Sequence, residues 1–594
     1  MERKRSTDVL IIGGGPVGMV SGIYLDKLGI SSIIVERQFE LSQHPKAHEL
    51  SARSIEILCQ LGFTLEELRK EASRYEDASR ILFCHTINAV IGEIDLQEGG
   101  NDEKYKTHLA APEPYLNLSQ TELEKIMRQK LSACPGCHLL IGHQWESMSE
   151  ISAGMESKIL DRRGNNTFTI SSKYVICADG AGSPSRKALG ITMAGDEKLD
   201  DFISVYFESN LRDFVKRPAK LYWILNPEAP GTIIAHHIEK RWVYHFPIYT
   251  PHEKKEQFTK EMLKRRLLMA LGEENIPLDI KSISFWRMAC QAASAFRKGR
   301  CFLVGDAAHR FPPTGGLGMN SGIGDVQNLC WKLAMVINGV ASERLLDSYE
   351  AERRPVIELN SRESLRNYRK IWDVPRAMGL NPDLLPLQAK VVNSYIFKLF
   401  PKAWTNGLLR RIYRTLSKKV AAIPAKPVLH EKVKQGIKEQ TEHFDRIGLD
   451  LGYTYDNGAI IYHEKKSPPQ HTVSAYFPSI EPGARFPHFW VYEKDTRTSS
   501  HEWLHPGRFT LLCNEEGEKW WSANKSRLDP GIQKAIQARN IGKLLQNQPD
   551  TARERAFYDI SSVPLLLIRP DGQVAWQPES LQADPADIFN QLLP

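Results

Sequence analysis

The spacing of apolar residues changes twice within the first 40 positions, and this change predicts how the fold begins. Residues 7–12 form a short, continuous apolar run bounded by glycines, which is typical of a buried strand. From Val17 to Leu28 the apolar residues recur at helical spacing, and residues 31–36 return to the buried-strand pattern. Strand, helix and strand in this order predict a βαβ unit and therefore a parallel sheet.

Later segments predict further regions. A helix is predicted over residues 119–133, starting at a capping box made by Ser119 and Glu122. Short runs rich in aromatic and β-branched residues then predict an antiparallel sheet that faces a ligand or partner. We therefore predict an α/β protein whose parts are a Rossmann-like domain with a helical extension over residues 1–190 and 286–420, an inserted β-sheet domain over 191–285, and a C-terminal α/β domain over 430–594.

The composition is that of an ordinary globular protein, with 42% apolar and 25% charged residues. A net charge of +7 is small for 594 residues and does not indicate a nucleic-acid partner. Nine cysteines are an odd and sparse set for this length, so we do not expect a disulfide framework. We expect a reducing, cytoplasmic location instead. No run approaches the roughly 20 apolar residues that cross a bilayer.

The turn between the first predicted strand and helix has the pattern G-x-G-x-x-G. Its first glycine permits a tight bend, its second lets the backbone approach a pyrophosphate, and its third allows close packing of helix on strand. The helix N-terminus attracts phosphate, and Glu36 at the end of the next strand can accept a hydrogen bond from a ribose. The turn therefore predicts a dinucleotide site, without separating FAD from NAD. Its residues are Gly13, Gly15, Pro16, Val17 and Gly18.

Two further turns follow predicted buried strands. One contains Asp179 and Gly180 in the segment ADGAGSPSR. The other begins with Gly305 and Asp306 and continues through a Pro- and Gly-rich stretch into a helix. Asp306 can accept a hydrogen bond from a ribityl hydroxyl, and the positive end of the following helix would stabilise negative charge on a reduced flavin.

Together these three segments resemble the group A flavoprotein monooxygenases, the family of para-hydroxybenzoate and phenol hydroxylases. The DG motif of that family matches Asp179-Gly180, and its GD motif matches Gly305-Asp306. Phrases near the C-terminus are similar to the larger phenol and polyketide hydroxylase subgroup, whose third domain has a thioredoxin-like fold. These phrases are GLDLGY (448–453), PGARFPH (482–488) and RPDGQVAW (569–576).

The resemblance implies FAD as cofactor, NADPH or NADH as a transient reductant, and O₂ as co-substrate. It also implies hydroxylation of a phenolic or polycyclic aromatic substrate through a hydroperoxide at flavin C4a. Only one G-x-G-x-x-G is present, so the nicotinamide is expected to bind over the same flavin. A flavin-binding accessory protein that does not hydroxylate remains the alternative. A halogenase is not favoured, because its W-x-W-x-I-P signature is missing from the sequence.

Single positions also take implied roles. Arg53 matches an arginine that touches the flavin side chain, Gln120 matches an FAD-contacting glutamine, and Arg37 is expected near the adenosine. His48 stands where some members place an aspartate that helps to activate the phenol, so it is a candidate base, with a packing role equally open. Pro313 is assigned beside the flavin ring with a catalytic role. The remaining implied cofactor contacts are Arg186, Gly316, Gly318, Met319 and Asn320.

The substrate pocket is expected between the flavin ring and the sheet over residues 191–285. Aromatic side chains of that sheet are candidates for its wall, although such residues also form ordinary core. No histidine or cysteine spacing predicts a metal site. A small aromatic substrate is the expected partner and a homodimer is left open. For the basic stretch 390–419 we expect packing on the flavin domain, with a membrane or carrier-protein contact as the less favoured reading. The candidate wall residues are Tyr206, Tyr222, Trp223, His236, Tyr244 and Trp286.

Overall fold

The computed structural model covers the three predicted regions of the chain. It describes residues 4–96, 110–250, 252–381, 402–462, 471–493, 496–542, 563–578 and 580–594, together with residues 387, 390, 544 and 560. For residues 402–410 only the backbone is described, so much of the basic stretch 390–419 lies outside the described side chains.

A largely parallel sheet lies at the centre of the N-terminal domain. Its strands are β1 Lys4–Ile12, β2 Ser32–Glu36, β7 Cys137–Ile141, β8 His143–Ile151, β9 Gly154–Asp161, β10 Asn166–Cys177, β16 Arg297–Lys298 and β17 Cys301–Leu303. Their order is β16-β17-β10-β1-β2-β7, with β9 also paired to β10 and β8 to β9. The pairs β1·β2 and β1·β10 are parallel, which confirms the predicted βαβ unit.

Helices of the N-terminal region pack on this sheet, carry the loops of the site or, as the last of them (Asp373–Ala377) does, pack on strands of the second sheet described below. They are α1 Pro16–Lys27, α2 Ala52–Gln60, α3 Leu65–Glu71, α4 Tyr75–Ala78, α5 Gln120–Ser132, α6 Pro184–Ala188, α8 Leu317–Ile337, α9 Ser348–Lys370 and α10 Asp373–Ala377. Most of α8 is buried, because α1, α2 and α9 pack around it. Ser119 does precede α5, but its side chain makes no capping bond and Glu122 pairs with Lys125 instead. The predicted capping box is therefore wrong.

A second sheet lies beside the first. It comprises β4 Arg80–Cys84, β5 Val90–Asp95, β11 Met193–Glu208, β12 Leu221–Ile224, β13 Gly231–His237, β14 Arg241–Ile248, β15 Asp279–Ala293 and β18 His309–Arg310, with helix α7 Lys260–Leu271 on one face. The order is β18-β15-β11-β14-β13-β12-β4-β5, antiparallel except for the parallel pair β4·β12. Residues 80–95 thus add two strands from well before position 191. A short pair, β3 Glu49–Ser51 and β6 Tyr115–Asn117, lies between the two sheets.

The C-terminal part is a thioredoxin-like α/β domain preceded by helices. Its elements are α11 Lys402–Ala421, α12 Pro427–Lys438, α13 Ile447–Leu451, β19 Trp490–Glu493, β20 Thr496–Ser499, β21 Phe509–Cys513, α14 Glu515–Asn524, α15 Pro530–Lys534, β22 Ile536–Asn540, β23 Leu565–Ile568, β24 Val574–Trp576 and α16 Pro585–Leu592. The sheet order is β22-β21-β23-β24, in which β21·β22 is parallel and the pairs β21·β23 and β23·β24 are antiparallel. Cys513 is the only cysteine after residue 430, so this fold carries no cysteine pair.

Buried charges fasten this domain to the first one. Glu352 of α9 accepts hydrogen bonds from Lys332 of α8 (2.8 Å) and from Arg569 (2.7 Å), and all three side chains are completely buried. Arg569 also pairs with Asp571. A second buried pair joins Arg485 to Glu56 of α2. The two domains therefore share a single buried interior, in agreement with a hydrophobic core that includes residues of both.

Candidate active site

The glycine turn joins β1 to α1 and is shaped as a cradle for a phosphate. Gly13 has φ +106°, and a Cβ there would lie 2.4 Å from the carbonyl oxygen of Ala178. A Cβ on Gly18 would lie 1.9 Å from the carbonyl oxygen of Gly13, so α1 packs directly on the turn. In front of Gly15 the space is open, and no side chain caps α1 there. The N–H groups of this helix end are therefore available to an anion.

Glu36 closes one side of the cradle. Its carboxylate accepts hydrogen bonds from the backbone N–H of Gly14 and of Gln38, each at 2.7 Å. Glu36 and Arg37 both line the large cavity described below. The carboxylate is thus fixed at the edge of the glycine turn, where it can meet a ribose.

The DG segment forms a second loop beside this cradle. The carboxylate of Asp179 accepts hydrogen bonds from the hydroxyl of Ser183 (2.5 Å) and from the backbone N–H of Ser185 (2.9 Å). Gly180 has φ +79°, with open space in front of it. Arg186 points inward and donates to the carbonyl oxygen of Ala307 (3.0 Å), so it supports the GD loop rather than lining the cavity.

The GD loop is held from behind by a buried carboxylate. Asp325 of α8 accepts from the N–H of Gly305 (3.0 Å), from Nε2 of His309 (2.6 Å) and from Nε of Arg353 (2.9 Å). Asp306 instead faces the cavity, and no donor among the described residues bonds its carboxylate. Asp306 is exposed to the cavity, and desolvation by the protein around it raises the pKa of its carboxyl. The carboxylate of Asp306 can therefore accept a hydrogen bond from a ligand in the cavity.

The loop before α8 forms the next part of the cavity wall. Pro313, Gly316, Gly318 and Met319 all line it. Asn320 does not, because its side-chain amide donates to the carbonyl oxygens of Gly316 (2.7 Å) and Glu49 (3.1 Å) and accepts from Ser51 N–H (3.0 Å). Asn320 thus ties this loop to β3.

One continuous cavity of about 2050 Å³ joins these loops to the second sheet. A pocket for a drug-sized ligand measures about 300–1,000 Å³, so this volume can hold a dinucleotide and a further ligand. The open glycines at one end and the unpartnered carboxylate of Asp306 further along match the pyrophosphate and ribityl hydroxyls of FAD. The residues of the cavity therefore fit FAD, whose isoalloxazine ring supplies the redox chemistry when bound.

His48 lies on the cavity wall with a defined tautomer. Asn117 donates through Nδ2 to Ser73 Oγ (2.9 Å) and to the carbonyl oxygen of Ala235 (3.1 Å), so its Oδ1 is an acceptor. His48 Nδ1 lies 2.7 Å from that oxygen and must donate to it. Nε2 of His48 has no partner among the described residues and is left as an acceptor on a residue that lines the cavity. Burial lowers the pKa of His48, which keeps the ring neutral.

Only two of the six predicted substrate residues line the cavity, namely Trp223 and Trp286. Tyr222 and Tyr244 point to the opposite face of the sheet, where they pack in the core against α7. The hydroxyl of Tyr206 bonds Glu208, and His236 is buried behind His48 with a ring centroid distance of 5.2 Å. In the structure, Tyr206, Tyr222, His236 and Tyr244 therefore lie outside the wall.

Strand alternation brings other side chains to the wall. His245, which follows Tyr244 on β14, lines the cavity, as do Phe202 and His44. His44 bonds the hydroxyls of Ser204 (2.6 Å) and Ser282 (2.7 Å), and burial lowers its pKa to about 4. The period of two along each strand contains this information, but the sequence alone does not say which face is inward.

Two predicted flavin contacts differ in their placement. Gln120 lines the cavity and pairs with the backbone of Ala47. Arg53 is buried away from it, where its guanidinium donates to Glu56 (3.0 Å), Gln327 (3.1 Å) and the carbonyl oxygen of Asp571. In the structure, Arg53 belongs to the contact between the domains.

Charged residues that the motifs did not indicate also line the cavity. Lys220 and Arg446 flank Glu49, and His443 and Phe444 lie beside Trp223. Residues 443–446 come from the segment between the flavin domain and the thioredoxin-like domain.

Within the described part of the chain, no group of three or more His, Cys, Asp or Glu side chains could hold a metal. No described helix is long and apolar enough to cross a membrane.

The fold and the site define an FAD-binding oxidoreductase with a substrate-facing sheet. A family model described as FAD binding domain matches residues 6–364, and one described as aromatic-ring hydroxylase, C-terminal, matches residues 479–593. The chain belongs to this family of FAD-dependent aromatic-ring monooxygenases, which use a reduced nicotinamide and O₂.

Characterised relatives span the whole chain. The 2,4-dichlorophenol 6-monooxygenase of Cupriavidus pinatubonensis is 28% identical, over 98% of this chain and 94% of that protein. The tetracenomycin A2 monooxygenase-dioxygenase of Streptomyces glaucescens is 27% identical, over 98% and 96%. The flavin-dependent monooxygenase PieE, solved with FAD and substrate, is 26% identical with a TM-score of 0.85 and covers 99% of both chains. The resemblance drawn from the motifs is thereby confirmed.

Proposed function

We propose that this enzyme hydroxylates a multi-ring phenolic substrate and that His48 accepts the phenolic proton. The observation that carries the proposal is the continuous cavity, which runs from the glycine turn past Asp306 to the aromatic face of the second sheet. Its volume of about 2050 Å³ is at least twice the roughly 300–1,000 Å³ of a pocket for one drug-sized ligand, so it has room for a dinucleotide and a substrate of several rings.

The wall beyond the flavin loop suits flat aromatic rings. Phe202 and Trp286 stack at 4.9 Å, and His245 meets Trp286 edge-on at 6.1 Å. Further along the same sheet, Trp223 of β12 stacks on Phe83 of the adjacent strand β4 at 5.6 Å. Aromatic walls of this kind orient a planar substrate by offset stacking and exclude water from the reacting position. Among the relatives, a putative polyketide hydroxylase supports a multi-ring substrate, and a phenol 2-monooxygenase supports a phenolic one.

His48 is placed to activate the substrate. Since its Nδ1–H is held by Asn117, the lone pair of Nε2 is the position at which a phenolic O–H can transfer its proton. Transfer breaks the O–H bond, forms an N–H bond and leaves an electron-rich phenolate. Because burial lowers the pKa of His48, the ring is neutral and able to accept the proton at neutral pH.

The cofactor contacts follow from the same geometry. We infer that the glycine turn with Glu36 holds the adenosine and pyrophosphate end of FAD. Asp306 holds the ribityl chain, and the loop at Pro313 to Met319 lies along the ring. The reduced nicotinamide enters the same cavity. Arg53 and Arg186 act from behind the wall, by holding the C-terminal domain and the GD loop in place.

A panel of phenols with one to four fused rings tests the substrate class. Substrate-stimulated NAD(P)H oxidation is measured together with the mass of the product, which separates hydroxylation from release of hydrogen peroxide. We expect coupled hydroxylation of compounds with three or four rings and weak, mostly uncoupled stimulation by simple phenols. Efficient hydroxylation of single-ring phenols alone would overturn the multi-ring assignment.

A further inference from the structure

The segment between the two family domains reaches the active site through Arg446. Arg446 is 5% exposed in its side chain, and Nη2 lies 2.5 Å from Oε1 of Glu49. The other carboxylate oxygen, Oε2, accepts from Nζ of Lys220 at 2.7 Å. Glu49 therefore bridges two buried cations from distant parts of the chain, directly after His48 in sequence.

This bridge also touches the loop assigned to the flavin ring. A methyl group on Gly316 would lie 3.4 Å from Nη2 of Arg446 and 3.8 Å from Cβ of Glu49. The carbonyl oxygens of Glu49 and Gly316 share one donor, the side-chain amide of Asn320. Strand β3, which begins directly after His48, and the loop before α8 are thus held together at a point where Arg446 contacts both.

Charge decides what Arg446 can do at this position. Besides Glu49, the carboxylate of Asp450 lies 3.6 Å from Nε of Arg446. Lys220 and Arg446 together are therefore matched by two carboxylates, which leaves little excess positive charge to bind a substrate anion. An arginine whose charge is already compensated, and whose burial is nearly complete, acts by fixing its partners.

We propose that Arg446 is a positioning residue, which sets the distance between His48 and the flavin-side loop and makes the segment around residue 446 part of the catalytic unit. This inference rests on the proposed role of His48. It assigns a function to a segment that neither family model covers, since one ends at residue 364 and the other begins at residue 479.

The test compares Arg446→Met with Arg446→Lys in the FAD-loaded full-length enzyme. A displacement of about 1 Å can cost about a hundredfold in rate. We expect Arg446→Met to lower the rate of hydroxylation by about that factor and to raise the fraction of NAD(P)H that ends as hydrogen peroxide. Arg446→Lys keeps the charge and should recover part of the coupling.

Arg366→Met is the matched control. Arg366 pairs at 2.5 Å with Glu442, which lies a few residues before Arg446 in the chain. Arg366 itself does not line the cavity. Its variant should couple as well as wild type. Equal coupling in Arg446→Met and Arg366→Met would overturn the proposal. The proposal would also be overturned if Arg446→Met lost coupling only through a lower melting temperature, with normal coupling in the fraction of enzyme that is folded.

A second readout does not depend on hydroxylation. The affinity for FAD and the absorption spectrum of the bound flavin report the loop at Gly316 directly. We expect both to change in Arg446→Met and not in Arg366→Met. If wild type hydroxylates no phenol but these flavin changes occur, the proposed function fails while the positioning role stands. Unchanged flavin binding in a folded Arg446→Met variant contradicts the positioning role itself.

Discussion

At the residue scale, hydrogen bonds behind the site decide the chemistry in front of it. Asn117 is oriented by two acceptors, Ser73 and the carbonyl oxygen of Ala235, and it in turn orients His48. Asp325 plays the same part for the GD loop, because it holds Gly305 and His309 from one carboxylate. Neither Asn117 nor Asp325 lines the cavity. Asn117 nevertheless orients His48, which does line it, and Asp325 holds the loop that carries Asp306.

Replacing His48 by Asn is expected to lower the rate of hydroxylation by about 10²- to 10⁴-fold, because general base catalysis contributes that much. The sign of the pH dependence follows from burial. Since the pKa of His48 lies below its ordinary value of 6.5, the neutral base persists below pH 6.5 and the rate falls only at more acidic pH. The measurement is kcat for product formation as a function of pH.

The exposed neighbour of His236 on β13 provides the control for this experiment. His237→Asn should retain both the rate and the acidic limb of the profile, because His237 is exposed and does not line the cavity. An unchanged acidic limb in His48→Asn would assign the titration to another group.

Local chemistry is what made the cofactor loops predictable. A turn such as that over residues 13–18 works through backbone geometry, so its glycines identify it without knowledge of the rest of the fold. No local motif marked Arg446, because its proposed role depends on its ion pair with Glu49, which is almost 400 positions away in the chain. Arg53 illustrates the converse, since its motif was clear but its guanidinium is turned to Glu56, Gln327 and the backbone of the C-terminal domain.

At the element scale, the faces of the second sheet decide what the substrate meets. Along β12 and β14 the side chains alternate between the cavity and the core under α7. Trp223 and His245 face the cavity, whereas Tyr222 and Tyr244 belong to the core. Aromatic content predicted the sheet, but the choice of face depends on which side α7 covers, and that is a tertiary contact.

Two truncations on this sheet should therefore affect different properties, substrate binding in one case and stability in the other. Trp223→Ala should weaken substrate binding by removing a stacking surface, with a small change in stability. Tyr244→Ala should destabilise the protein by about 3–5 kcal/mol, as is usual when a large buried aromatic side chain is lost. Thermal melting and the KM for the best phenol distinguish the two effects. A Trp223→Ala variant with unchanged KM, or a Tyr244→Ala variant of normal stability, would show that the faces are reversed.

The position of β4 and β5 shows a second limit of sequence reasoning. Residues 80–95 join the far edge of the second sheet through a parallel pair with β12. Their partners lie about 140 positions later in the chain, so no local pattern could place them there. The domain bounds predicted at residues 190 and 285 follow a change in local composition. The sheet itself is assembled from three separate stretches of sequence.

At the scale of the whole molecule, buried ion pairs make one structure of the flavin domain and the thioredoxin-like domain. Glu352 is shared by Lys332 and Arg569. Burial alone would raise the pKa of Glu352, but the two cations outweigh it and lower the pKa to about 2. The C-terminal domain therefore acts as part of the structural support of the flavin site.

Arg569→Met should destabilise the protein by about 3–5 kcal/mol, because it leaves Asp571 buried without its cation and Glu352 with only one of its two cations, Lys332. The melting temperature of the FAD-bound enzyme is the measurement. Arg527→Met is the control, since Arg527 forms an exposed pair with Asp584 at 3.4 Å that is worth about 0–1 kcal/mol. Equal melting temperatures for the two variants would mean that the domains are held together by other contacts.

If the cavity brings FAD and a phenolic ring together for oxygen transfer, the new oxygen atom comes from O₂. Turnover of the best phenol under oxygen-18-labelled O₂, followed by mass spectrometry of the product, measures the source of this atom. We expect each new hydroxyl group to carry one labelled oxygen atom and the yield to follow NAD(P)H consumption. A new hydroxyl group that takes its oxygen from water, or NAD(P)H oxidation that yields only hydrogen peroxide with every phenol tested, would contradict this expectation.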